Sequence, residues 1–188
     1  MIIHLKLPKT MKRNFYILYV IFFLIPFGLS AQNLFLYYPN LTSGVGPAGI
    51  HHNEARINSI QSGIGRAISP IGGKRTAGAP ALSEYTISKN FDGSSIKLMQ
   101  AATNGAPSAA NVEIRFYSAD VLVLTIELAD VLVSSFSSSS AGDGGSCPNC
   151  PGIDESLSLN FTKIKVTEVI NDPTNPYQWN LINGTPTF

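Results

Sequence analysis

NVEIRFYSADVLVLTIELADVLVSSF, residues 111–136, is the stretch on which the fold turns. Over residues 111–118, Val112, Ile114 and Phe116 alternate with Glu113, Arg115 and Tyr117, the two-residue period of a strand with one buried face. Between Phe116 and Val121 there is room only for a tight hairpin built on Ser118 and Asp120. Residues 121–128 and 131–136 are rich in Val, Leu and Ile on both faces, which predicts central strands covered on each side. The chain is therefore expected to be mainly β.

Working outward, residues 33–38 form a short apolar and aromatic opening strand. Residues 156–166 place Leu157, Leu159 and Phe161 on one face against Ser156, Ser158 and Asn160 on the other. The apolar parity then switches to Ile164 and Val166, implying either a bulge near Thr162 or a strand end covered on its second face. One segment argues for helix. Asp92-Gly-Ser-Ser95 offers capping oxygens, residues 96–103 contain good helix formers, and Asn104-Gly105 supplies a stop. Two long Gly, Ser and Pro-rich stretches, residues 69–80 and 137–152, show no periodicity and are expected to be loops.

The N-terminus has a separate logic. Lys12 and Arg13 precede an almost unbroken apolar run, residues 15–27, followed by the small residues of Gly28-Leu-Ser-Ala31. That is the pattern of a secretory signal cleaved between Ala31 and Gln32, and the run falls short of the roughly 20 residues needed to cross a bilayer. The other in-frame methionine near the start, Met11, would retain the whole signal. The expected organisation is residues 1–31 as N-terminal extension and signal peptide, and 32–188 as one domain. No stable membrane insertion is expected after cleavage. Within 32–188, nine Lys and Arg face twelve Asp and Glu, a net charge of −3. That balance gives no electrostatic reason to expect a nucleic acid or an anionic membrane as partner.

Several blocks carry a resemblance. Tyr85-Thr-Ile-Ser-Lys89, Asp92, Ser94-Ser95, Leu98 to Ala101 and Gly105 are followed by Asp130-Val-Leu-Val-Ser-Ser135. Then come Glu155-Ser-Leu-Ser-Leu-Asn-Phe161 and Ile164. Their order and spacing resemble the Hcp family, the haemolysin co-regulated proteins that form the inner tube of type VI secretion systems. Gly72-Gly73-Lys74 stand where the family has a glycine-rich loop, and Tyr177-Gln-Trp-Asn180 resembles its closing strand.

The resemblance implies a mainly β fold, a small β-barrel of two sheets with one short α-helix packed against it. It implies hexameric rings of the chain with itself, able to stack into a tube, with neither active site nor cofactor. Secretion-apparatus proteins and effector cargo are further implied partners. By match to the family pattern, Gly72, Gly73, Lys74 and Arg75 would make stacking contacts. Lys89, Asp92 and Ser94 would make ring or core-supporting contacts. The leader departs from the family, whose tube is built in the cytoplasm without a signal sequence. The expected location is periplasmic or extracellular. Two readings follow: an exported self-assembling ring subunit, or a secreted monomeric effector or binding module that reuses the barrel.

Three motifs carry chemical possibilities. Cys147-Pro-Asn-Cys150 is compatible with a redox pair, half a zinc site or free thiols. In an oxidising compartment, and in a Gly, Ser and Pro-rich context with no helix start, a loop-closing disulfide is the expectation. His51-His52-Asn-Glu54 sets two imidazoles beside a carboxylate, but 32–188 contains no other histidine, so a solvated turn is expected rather than a metal site. Gly44-Val-Gly-Pro-Ala-Gly49 matches G-x-G-x-x-G literally, yet no amphipathic helix follows it, and a flexible loop is expected.

Overall fold

The computed structural model describes residues 32–71, 73–140 and 152–188. The signal segment through Ala31, Gly72, and the Cys147 and Cys150 pair lie outside the described residues. Gln32–Phe188 forms one compact unit.

The strands are β1 (Gln32–Tyr37), β2 (Ala55–Ile57), β3 (Ser59–Gln61), β4 (Ile64–Ile71), β5 (Lys74–Leu82) and β6 (Tyr85–Asn90), followed by helix α1 (Ser95–Asn104). Then come β7 (Val112–Ser118), β8 (Val121–Ala129), β9 (Leu132–Ser139), β10 (Asp154–Asn160), β11 (Lys163–Glu168) and β12 (Tyr177–Asn180). They pair antiparallel in two sheets and a separate hairpin. The first sheet has the order β12-β11-β8-β7-β1-β2, the second β3-β6-β10-β9, and β4 pairs only with β5. The mainly β expectation with one helix is met. Among the described residues the pairing closes neither sheet on itself.

Alternation decides which face goes inward. In the first sheet Leu36 lies opposite Ile114, Ile114 opposite Ile126, and Leu128 opposite both Val112 and Ile164. Tyr85, Ile87, Val133, Leu157 and Leu159 of the second sheet join these residues in one buried cluster. Each fully buried Leu or Ile in such a layer contributes roughly 1.5–3 kcal/mol. Helix α1 adds Leu98, with Ala101 and Ala102 half-buried beside it.

Three corners carry the chain between the sheets. β2 passes into β3 through the single residue Asn58. β8 turns into β9 at Asp130, whose φ is 52°. β10 ends at Asn160 and β11 starts at Lys163. Residues 156–166 are therefore two strands in different sheets, and the parity switch is the point where the chain changes sheet rather than a bulge or a doubly covered end. The second and third corners are clasped together: Thr162 donates its backbone N–H to the Ala129 carbonyl (3.1 Å) and its hydroxyl to Asp130 (2.5 Å).

The β7–β8 hairpin is as tight as expected. Ala119 and Asp120 occupy left-handed φ values of 49° and 61°, with Ser118 paired to Val121, a turn whose twist matches that of the strands it joins. The two aperiodic stretches differ from expectation. Residues 69–71 and 74–80 lie in the paired strands β4 and β5, and β9 runs on through Ser139.

Candidate functional site

Three features outside the apolar core carry polar or exposed chemistry: a free arm, a buried ion-pair network under the helix, and a histidine cluster on the outer face of the first sheet.

The arm is β4 and β5. It continues β3 and β6, for Ser83 donates its N–H to the Gly63 carbonyl (2.9 Å) and accepts the Gly63 N–H at its Oγ (2.6 Å). Beyond that link the ribbon leaves the second sheet. Leu82 and Pro80 at its base are half-buried, whereas Ile64 and Ile68 are 65% and 62% exposed. Arg66, Lys74 and Arg75 give it three positive charges and no acid offsets them. Gly73, at φ 78°, makes the tip turn that a residue with a Cβ would strain. Pro70 and Pro80 are tolerated because both strands are edges and need donate no further ladder hydrogen bond. Of the residues assigned to stacking, Gly73, Lys74 and Arg75 thus sit together at the exposed tip.

The second feature gathers Lys89, Asp92 and Ser94. The Lys89 ammonium, fully buried, lies 2.7 Å from Glu155 and 3.0 Å from Asp92, and donates to Ser95 Oγ (3.0 Å) and the Asn90 carbonyl (2.8 Å). Ser95 donates onward to Glu155 (2.8 Å). Helix α1 therefore starts over an ion pair. Ser94 does not cap it with its side chain; instead its N–H and hydroxyl both donate to Asp92 Oδ1. Gly105 closes the helix as expected, at φ 62°, with its N–H on the Ala101 carbonyl. Glu155 is the partner that residue-by-residue reasoning left unassigned; its place in β10, opposite Lys89 of β6, is the register that joins them.

The third feature overturns the solvated-turn reading of His51-His52-Asn-Glu54. His51 and Glu54 are buried, at 8% and 1% exposure, while His52 and Asn53 face outward. The segment between β1 and β2 folds back over the outer face of the first sheet. Thr42 pins it by donating to the Asn53 carbonyl (2.7 Å), and Gly46 permits it, since a Cβ there would strike the His51 carbonyl at 1.8 Å. The His51 ring stacks on Phe35, with centroids 4.0 Å apart, and meets the Tyr117 edge at 4.5 Å. Its Nδ1 lies 2.7 Å from Glu54 Oε2. Glu54 Oε1 accepts from Arg115 (2.5 Å) and from the Tyr117 hydroxyl (3.0 Å). Burial pushes the Tyr117 phenol up, and the Glu54 carboxylate adds to it. For Arg115, burial acts downward, but the hydrogen bonds to Glu113 and Glu54 outweigh it and hold the guanidinium charged. The signal for this cluster was present in Phe35 and Tyr117, two aromatic residues on the polar parity of their strands.

Taken together, two corner-linked antiparallel sheets, one helix seated on an ion pair, and a free basic arm define a small, mainly β fold with a projecting hairpin. A solved type six secretion system protein superposes with a TM-score of 0.70 at 20% identity, over 82% of this chain and 99% of that one. Hcp1 from Salmonella typhimurium gives 0.65 at 18% identity, over 81% and 97%. The secreted protein Hcp3 from Pseudomonas aeruginosa gives 0.54 at 16%, over 79% and 96%. At these identities the likeness speaks of fold alone. The family model described as "Type VI secretion system effector, Hcp" matches residues 42–167, and the chain belongs to that family. Among curated proteins none matches. No helix among the described residues is long and apolar enough to cross a membrane.

Proposed function

We propose that the chain is a non-enzymatic, self-assembling subunit, exported by residues 1–31 and released before Gln32, that forms hexameric rings able to stack into a tube in the periplasm or outside the cell. One observation carries this reading. An isolated two-stranded hairpin is marginal in water, yet the arm extends free of both sheets with Ile64 and Ile68 exposed. Such a ribbon gains most by lying on another molecule, and a second copy is the partner the family supplies. Gly72, Gly73, Lys74 and Arg75 make the stacking contact in this reading. Lys89, Asp92 and Ser94 act behind it, fixing α1 against the second sheet so that the outer surface has one shape. Catalysis is not expected: the two histidines of 32–188 are His51, committed to Glu54, and the exposed His52, so a Ser or Cys nucleophile has little base to draw on.

The test is the native mass of the protein beginning at Gln32, by light scattering after gel filtration. A mass near six subunits supports the reading. The leader favours one rival, a secreted monomeric binding module that uses the same arm on a foreign target. A monomer at working concentration would select that rival instead.

A further inference from the structure

Charge is divided unevenly over residues 32–188. The arm, residues 64–82, holds Arg66, Lys74 and Arg75 and no acid, while the rest of the domain sets six Lys and Arg against twelve Asp and Glu, so the arm is +3 and the body −6. One end of the first sheet is the counterpart of the arm. There the β7–β8 turn carries Asp120 and Val121, and the segment leaving β11 carries Glu168, Ile170 and Asp172. The two segments are neighbours, for Glu168 lies opposite Leu124 and Val169 donates its N–H to the Val123 carbonyl (2.9 Å). Val121 and Ile170 are each 56% exposed, and all three acids are exposed beside them. No Lys or Arg occurs in residues 116–124 or 166–188.

The arm leaves from the other end. Glu84, at its base, accepts from Asn160 (3.0 Å), beside the corner from which β11 starts at Lys163. β11 reaches the acidic end only at Glu168, roughly 17 Å of strand further on. We propose that these two ends are the halves of one contact between copies of the chain. The arm of one copy lies on the end of the first sheet of the next, setting Arg66, Lys74 and Arg75 against Asp120, Glu168 and Asp172, and Ile64 and Ile68 against Val121 and Ile170. This rests on the self-assembly reading above and supplies the surface that receives the arm. Because the halves lie at different ends of the molecule, the contact is head-to-tail, and each copy added leaves a fresh half for the next.

The test reverses each half in the protein that begins at Gln32. Lys74→Glu with Arg75→Glu reverses the arm, and Glu168→Lys with Asp172→Lys reverses the body. All four side chains are exposed, so both proteins should melt as the parent does. Asp120 is left intact because it also lies 3.6 Å from His51. In sedimentation at low salt the parent should form rings and stacks of rings, and stacking should weaken by roughly a hundredfold or more in each reversed protein, since like charges then face one another. Mixed in equal amounts, the two reversed proteins present opposite charges at every junction and should stack again. Parent stacks should come apart in about 1 M salt, where screening acts within about 3 Å. A reversed protein that stacks like the parent, or a mixture that stays unstacked, overturns the assignment and leaves the ring reading standing. A parent that never associates overturns both, whereas open chains without a six-subunit ring would support the contact and refute the ring.

Discussion

The ribbon from Ser59 to Asn90 lives in two environments. Its proximal part, β3 and β6, lies in the second sheet, with Ile87 and Lys89 fully buried and Ile60 packed on the core. Its distal part, β4 and β5, has the same antiparallel pairing, but among the described residues it meets the core only at its base, through Leu82. Backbone pairing is common to both, so pairing is not what separates them. Burial is, and it makes the proximal part intolerant of change while leaving the distal part free to meet a partner.

The largest expected effect lies at the proximal end. Glu155→Ala strands the buried Lys89 ammonium with only Asp92 and neutral acceptors and should cost about 3–5 kcal/mol in urea unfolding. Replacing the pair together, Lys89→Met with Glu155→Leu, should recover much of that loss, since no unpaired charge then remains. A double variant no better than the single one would show that the network acts by shape rather than charge.

Alkaline titration sharpens the same contrast, because the three tyrosines held above their ordinary range all belong to the body. Burial is the leading cause for Tyr38, Tyr85 and Tyr117 alike. Each phenol must stay neutral in the folded state. The stability it contributes is full below the ordinary value of 10.0 and is lost as pH rises through the raised one. Urea midpoints should fall above about pH 10, and Tyr117→Phe should flatten the fall. A midpoint that stays level there would refute it.

A smaller effect is expected at the β7–β8 turn. Ala119→Gly relieves a left-handed alanine but loosens the unfolded chain, for a net gain of about 0.5 kcal/mol, readable as a slightly higher melting temperature. The smallest change in stability belongs to the arm. Ile68→Asp should leave the urea midpoint within about 0.5 kcal/mol of the parent while lowering the native mass of any stacked assembly. If it unfolds the body, the arm is part of the core after all.

What the sequence made legible follows the same division. β7 and β10 were readable because one face of each is buried, and burial writes a period of two into the residues. Helix α1 was readable from its glycine stop. The arm was not: with most of its described positions exposed, little selects Val over Ser along it, and residues 69–71 and 74–80 looked like loop although they lie in paired strands. The break between β10 and β11 left its trace as a parity switch, but only three-dimensional placement showed that Leu159 and Ile164 point into one core from two sheets. The His51 cluster stayed hidden because it is covered by a folded-back segment rather than by a sheet. Phe35 and Tyr117 were its only advance notice.

The pairing order also governs when the molecule can exist. β1 finds its partners only in β2 and in β7, which follows the whole arm and α1 in sequence. Pairings of such long sequence separation fold slowly, because the entropy of closing the long intervening loop is paid before the pairing repays it. A chain leaving the ribosome with Gln32 early and Ser118 late cannot complete its first sheet until most of its length has been made. Until then β1 has only β2 beside it.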